Sequence, residues 1–322
     1  MVNHRLTKTE VLLKIGLLGC FIRSHPVIRC LLLKFVGKYG TLLPMHPILF
    51  QIGSLKIGTY GVMLAIAFMS GFLLVNRQFK KAGVSVDLAW DLHFLAIFGG
   101  MVGSRIMYIL ENIPEFLKDP IHVMFLSTTG FSVLGGYVMA FGLCIWRVKK
   151  SGEPFFKLAD LYAPGLALGY VFGRIGCIFA GDGCYGIPTK LPWAMTFPNG
   201  IVPTLSSSNS MLVEKWKELF PGEPVPMDIP VHPTPLYESS VSLILCLILL
   251  FGPWKVGKGH RFAFFLTWFG IARFFVEFIR LNPFDCFGMT SSQCLGICFV
   301  VAGIIIFATS KNREVFEQNS NG

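Results

Sequence analysis

Apolar runs long enough to cross a bilayer alternate along this chain with shorter connections that carry most of its charge. Seven segments approach the roughly 20 residues that a spanning helix needs. They are Gly58–Val75, Ala89–Leu110, Phe131–Val148, Leu158–Ala180, Pro235–Trp254, Arg261–Ile279 and Gln293–Thr309. Glycine and proline recur inside them, which membrane helices tolerate because close packing and local rearrangement re-satisfy the backbone. The pattern predicts an all-α integral membrane protein with a seven-helix core.

The connecting charges sort by side. Arg77, Lys80 and Lys81 follow the first segment, Arg147, Lys149, Lys150 and Lys157 the third, Lys255, Lys258 and Arg261 the fifth, and Lys311 and Arg313 the seventh. Glu111, Glu115, Lys118 and Asp119, and later Arg280 and Asp285, occupy the opposite connections. Basic loops stay cytoplasmic, so this alternation predicts an outside N-terminus and a cytoplasmic C-terminus for the core. The stretch 181–234 between segments four and five is then an outer loop, with one short helix expected at Met211–Leu219. Its place beside Arg174 makes it a lid, a docking surface or simply a loop.

Residues 1–44 break the alternation, with seven Lys and Arg against Glu10 alone. Such a segment resists translocation and reads as a basic extension, an amphipathic interfacial helix or a poor eighth span. Met45 is the expected first residue. The membrane domain is then 45–310 and the cytoplasmic tail 311–322.

Composition agrees with the pattern: 53% hydrophobic and 14% charged, against about 45–50% and about 25% in soluble domains. The formal net charge of +10 does not point to nucleic acid, because the basic residues sit in patches between apolar runs and no nucleic-acid-binding signature accompanies them. Nine cysteines include no CxxC pair, so spacing supplies no structural zinc or redox motif, and no cofactor is expected.

Candidate chemistry concentrates in Gly169–Gly186, GYVFGRIGCIFAGDGCYG, where Arg174 sits inside an apolar, glycine-rich run and Asp182 follows. A charged arginine in or near a bilayer needs an anionic partner. Either it snorkels or pairs with Asp182, or its rigid donor fork clamps a phosphate. Arg273 and Glu277 stand four residues apart in GIARFFVEFIR, as an ion pair or as a second headgroup contact. Arg105 and Tyr108 follow Gly99 and Gly103, a small-xxx-small pair that favours helix packing. Tyr60 is an interfacial anchor or a polar site residue. In HPTPLYES, His232 titrates near neutrality, Tyr237 donates a hydrogen bond, and Glu238 orients either; a lone interfacial histidine is more often incidental.

Together these residues resemble the prolipoprotein diacylglyceryl transferase family. The signature is GRIGCIFAGDGCYG at Gly173–Gly186, supported in order by MHPILFQIG, GTYGVM, GGMVGSRIMYIL, LPWAMTFP, HPTPLYES, GIARFFVEFIR and SQCLGICFVVAGI, from about Met45 to Thr309. The resemblance implies transfer of the diacylglyceryl group of phosphatidylglycerol to the lipobox cysteine thiol of an exported prolipoprotein, with release of glycerol 1-phosphate. It implies partners in phosphatidylglycerol, prolipoprotein signal peptides and the bacterial cytoplasmic membrane, with an outward-facing site. Arg174 and Arg273 correspond to the family's headgroup arginines, Glu277 to the partner of Arg273, and Tyr60, Arg105 and Gly186 to lipid-cavity positions. The family's Ser-Phe-His-Gly-Gly is here Ser132-Val133-Leu134-Gly135-Gly136, so Leu134 replaces its histidine. Its asparagine after Arg-Ile-Gly is Cys177, and its Asn-Gly-Glu becomes Ala180-Gly181-Asp182 with one residue inserted before Gly186. Asp182, His232 and Glu277 are the surviving candidate bases. The alternative to a transferase is a non-catalytic phospholipid- or lipoprotein-binding homologue. A disulfide between Cys184 and Cys286 is a further expectation, with Cys177 as competing partner.

Overall fold

The structure, a computed structural model, describes residues 47–53, 55–120, 132–282 and 288–320. The basic extension, Met45 and Cys286 lie outside these residues. An antiparallel hairpin, β1 (Ile48–Ile52) and β2 (Leu55–Gly58), pairs Gln51 with Lys56 and feeds directly into the first helix. The helices are α1 (Thr59–Lys81), α2 (Val86–Glu111), α3 (Ile113–Lys118), α4 (Val133–Ser151), α5 (Phe155–Ala180), α6 (Ser210–Leu219), α7 (Thr234–Phe251), α8 (His260–Glu277) and α9 (Ser291–Ser320).

Each apolar segment holds a helix among the described residues, but seven spans is an overcount. Among the described residues, five helices are long and apolar enough to cross a membrane: Thr59–Lys81, Val86–Glu111, Phe155–Ala180, Thr234–Phe251 and Ser291–Ser310. The two that fall short, α4 and α8, each carry three charged side chains: Arg147, Lys149 and Lys150 in one, Arg261, Arg273 and Glu277 in the other. Charged side chains taken into hydrocarbon are costly, so helices of 19 and 18 residues that each carry three of them fall short. The chain is an all-α, multi-span membrane protein, with five candidate spanning helices among the described residues. The seven-span topology, and the placement of the termini that rested on it, does not stand.

Helix pairs meet through small residues. Gly103 of α2 faces Gly135 of α4 so closely that an added Cβ on either would overlap the other's carbonyl oxygen, and Gly270 of α8 meets Gly296 of α9 in the same way. Gly99 likewise abuts Ala140, so the small-xxx-small pair packs helices. Outward faces carry large apolar side chains such as Phe94, Met101 and Val138, as expected where lipid is the solvent.

The connection between α5 and α7 is a packed unit. Its helix α6 sits where Met211–Leu219 was expected and buries Leu212 and Trp216 with Tyr185, Phe197, Ile229 and Val231 against Ile178 of α5. Full burial of side chains of this size stabilises by about 1.5–3 kcal/mol each.

The antiparallel helix order defines two poles. The start of α1, the end of α5, the start of α7, the end of α8 and the start of α9 share one pole, joined by the contacts of Gly176 with Tyr60, Arg174 with Glu238, and Arg273 with Ser292. At the other pole Arg261 donates to Gln78 Oε1 at 3.2 Å, and Asp160 accepts from the chain entering α8.

Candidate functional site

Glu238 is the centre of the first pole. Pro235 at the opening of α7 sets the helix start, and one turn in, Glu238 enters the bundle 4% exposed. Arg174 Nε lies 3.1 Å from its Oε2, and Arg273 Nη1 donates to its Oε1. The Tyr170 hydroxyl donates to Oε1 at 3.0 Å, and Arg280 Nη1 stands 3.9 Å from the same atom. Behind it Glu277 takes charge contacts from Arg273 Nη2 at 3.5 Å and Arg280 Nε at 3.9 Å, and accepts from Asn282. Arg273 also donates to Ser292 Oγ at 3.0 Å. Among the described residues, three guanidinium groups thus surround two carboxylates, leaving one formal positive charge over.

Arg174 is the arm of this hub that reaches open space. Its guanidinium lies over the Tyr170 ring at 4.9 Å and donates Nη1 to Cys177 Sγ at 3.9 Å. It lines a cavity of about 500 Å³ together with Tyr60, Tyr170, Cys177, Asp182 and Cys184 at one end and apolar residues such as Leu64 and Phe68 further along. A largely apolar chamber ending at a cation suits a ligand with a hydrocarbon body and an anionic head.

Past α5 the chain turns on two left-handed glycines, Gly181 at φ 57° and Gly183 at φ 84°, a conformation that side chains disfavour. This tight turn brings Cys184 back onto Cys177. Ligating atoms of Cys177, Asp182 and Cys184 all lie within 4.8 Å of one another. Asp182 Oδ1 accepts the Cys184 backbone N–H at 3.1 Å. The Cys184 thiol is lowered from its ordinary pKa, chiefly by its hydrogen bond with Cys177 and further by Arg280 and Arg174. The competing partner therefore stands beside Cys184, while Cys286 lies outside the described residues.

Gly186 works through packing. Its N–H donates to the His232 carbonyl at 2.8 Å, it bridges Arg280, and a Cβ there would overlap the Ile279 carbonyl. The signature turn is thereby seated on the segment that presents Arg280. His232 and Tyr237 form a separate group, with His232 Nδ1 3.4 Å from the Tyr237 hydroxyl, which accepts from Trp193 Nε1 at 2.7 Å. Partial burial lowers the His232 pKa, favouring neutral imidazole.

Of the residues singled out in the sequence, Arg174, Asp182 and Tyr60 line the cavity. Arg273 and Glu277 join the same hub one layer back. His232, Tyr237 and Gly186 flank it. Arg105 is half-buried on α2, which packs on α4, and it does not line the cavity. Sequence reasoning missed Glu238, Tyr170 and Arg280 as members of the hub. Counting charges inside apolar segments would have found Glu238, since the buried arginines needed an anion and it is the carboxylate within the segment Pro235–Trp254.

Fold and site together define a multi-span membrane protein that presents an arginine-rich hub to an apolar cavity. A family model for prolipoprotein diacylglyceryl transferase matches residues 47–309. The phosphatidylglycerol–prolipoprotein diacylglyceryl transferase of Clostridium tetani is 31% identical over 258 residues, covering 78% of this chain and 92% of its own length. Enzymes of the same name from Clostridium perfringens and Vibrio cholerae are each 30% identical, covering 77% and 79% of this chain and 89% and 88% of theirs. The chain belongs to the prolipoprotein diacylglyceryl transferase family, as a divergent member. It is a membrane-embedded diacylglyceryl transferase of lipoprotein modification.

Proposed function

We propose that the protein transfers the diacylglyceryl group of phosphatidylglycerol to the lipobox cysteine thiol of prolipoproteins, forming a thioether and releasing glycerol 1-phosphate. The observation that carries this reading is Arg174 at the polar end of the apolar cavity, held by a hub with one positive charge in excess among the described residues. The acyl chains occupy the apolar length and the phosphate meets Arg174, whose planar donor fork suits phosphate oxygens. As the thiolate sulfur attacks the glyceryl carbon, the carbon–oxygen bond to phosphate breaks. Negative charge grows on the leaving phosphate, where a preorganised cation stabilises the transition state. Arg273 and Arg280 keep Glu238 from cancelling that cation.

Of the three candidate bases, Glu277 is engaged by Arg273, Arg280 and Asn282, and His232 stands off the cavity with Tyr237. Thiol activation therefore falls to the turn that carries Asp182. We place the site on the outer face of the bacterial cytoplasmic membrane, because Lys80, Lys81, Lys149, Lys150 and Lys157 collect at the opposite pole and basic residues favour the cytoplasm.

Purified protein given headgroup- and acyl-labelled phosphatidylglycerol and a lipobox peptide tests the reading. Thioether product with stoichiometric glycerol 1-phosphate is expected. Absence of product where another family enzyme turns over would sink it, and lipid binding without turnover would select a non-catalytic binding role.

A further inference from the structure

We propose that Cys177, Asp182 and Cys184 form a site for a thiophilic divalent cation of the zinc type, whose open position takes the lipobox cysteine as thiolate. The role in activation rests on the transferase reading; the metal site does not. The chemistry of the donor set comes first. Two sulfurs and a carboxylate oxygen within 4.8 Å of one another approach the spacing of ligands around one tetrahedral zinc, with Zn–S near 2.3 Å and Zn–O near 2.0–2.2 Å. Three protein ligands with a fourth position left for water or substrate is the arrangement of catalytic zinc.

Placement is the second observation. All three residues line the cavity, so the fourth position faces the space where substrate enters. The turn is prebuilt for them: Gly181 and Gly183 in left-handed conformations fold Cys184 onto Cys177, and the Cys184 N–H fixes the Asp182 carboxylate. Charge is the third. Two thiolates and a carboxylate around a divalent ion carry one net negative charge. Arg174, whose Nη1 lies 3.9 Å from Cys177 Sγ, stands where it offsets that charge. The same guanidinium contacts Glu238, so one side chain joins the proposed metal turn to the phosphate hub.

The absence of a CxxC motif did not point here, because the two sulfurs are seven residues apart and are joined by a helix end and a two-glycine turn. A coordinated thiol is deprotonated outright at neutral pH, so the metal supplies what Leu134 does not. In the balanced step, the substrate thiol coordinates and its proton passes to solvent. The metal-bound sulfur donates an electron pair to the glyceryl carbon, and the carbon–oxygen bond breaks with its pair going to the phosphate. Glycerol 1-phosphate leaves, and no oxidant or reductant is consumed.

The test uses the full chain in detergent, purified without chelator. Elemental analysis is expected to find zinc at one equivalent. After chelator treatment, added Co(II) should give thiolate-to-cobalt absorption in the near ultraviolet with tetrahedral visible bands. Zn(II) should protect both Cys177 and Cys184 of the unaltered protein from alkylation. Cys177→Ser and Cys184→Ser should each lose the cobalt absorption and weaken zinc binding by more than the 10–100-fold typical of losing a supporting partner. Any of three results overturns the site: metal content no higher than in the double serine variant, equal alkylation with and without Zn(II), or a Cys177–Cys184 disulfide in the native protein. Bound metal with transfer indifferent to its removal overturns the activation role. Bound metal with no transfer at all supports the site and counts against the transferase reading instead.

Discussion

Two buried carboxylates stand at opposite poles of the helix bundle, and they are satisfied in opposite ways. Asp160 is fully buried and accepts three backbone N–H groups, from Gly257 and Gly259 on Oδ2 and from Phe262 on Oδ1, each at 2.9 Å. It ties the connection between α7 and α8 to α5. Glu238 is nearly as inaccessible, but its partners are arginines and a tyrosine, and they outnumber it in charge. A carboxylate met by backbone donors has its hydrogen-bonding capacity matched and holds a shape. One met by a surplus of guanidinium groups leaves cationic potential for something else to answer. By this difference we read the Asp160 pole as structural and the Glu238 pole as the candidate site.

Glu238→Ala should produce the largest effect, because it leaves Arg174, Arg273 and Arg280 crowded without their shared anion. Breaking a buried pair from one side costs about 3–5 kcal/mol. Membrane abundance and detergent thermal stability should fall together, with turnover lost. Near-normal stability would mean that the arginines are satisfied otherwise, and the hub would not be a hub.

Arg174→Ala should cut turnover by at least the ~10²-fold scale of losing one transition-state donor, at near-normal abundance. Lysine should rescue it in part, since it restores charge without the fork. Arg273→Ala should lose turnover on a similar scale, but with a stability defect as well, because Arg273 also holds Glu277 and Ser292. Steady-state transfer rates and melting curves for both alanine variants separate the arm at the cavity from the brace behind it. Wild-type turnover in folded Arg174→Ala would remove that residue from the site.

Asp160→Asn tests the other pole. The amide replaces one acceptor oxygen with a donor, so at least one of the three N–H groups loses its partner, at about 1–3 kcal/mol. Thermal stability should drop by that amount while turnover per folded molecule stays unchanged. Turnover that falls with stability restored by lipid would break the division between a structural and a functional end.

How far the sequence reached follows the same physics. All the long helices were legible, because unbroken apolar runs leave the backbone few alternatives in lipid. Span number was overread, because Arg147, Lys149 and Lys150 in α4, and Arg261, Arg273 and Glu277 in α8, weigh less in a count of apolar residues than in a bilayer. Arg174 was singled out because an arginine amid Val171, Phe172 and Ile175 is costly unless it has a use. Glu238 was read against its neighbours His232 and Tyr237, since sequence shows local spacing, whereas its actual partners approach from α5 and α8. Asp160 escaped notice for the same reason: its three donors lie about a hundred residues away. The approach of Cys177 to Cys184 depends on two left-handed glycines either side of Asp182, a backbone conformation that residue spacing alone does not reveal.

Leu134→His should have the smallest effect, and it sharpens the assignment of chemistry to the signature turn. Leu134 is 60% exposed on α4, and Tyr137, one turn along, lines the cavity. An imidazole at 134 therefore does not have to enter a packed interior, and little stability is at stake. A well-placed general base contributes about 10²–10⁴-fold. If proton removal from the thiol were the missing function, the histidine variant should gain on that scale over wild type in a side-by-side thioether assay. If the turn at Cys177, Asp182 and Cys184 already activates the thiol, the gain should be far smaller, and its pH–rate profile should match that of wild type. A gain of ~10²-fold or more would show that the wild-type site lacks a base, and activation by the signature turn would have to be abandoned.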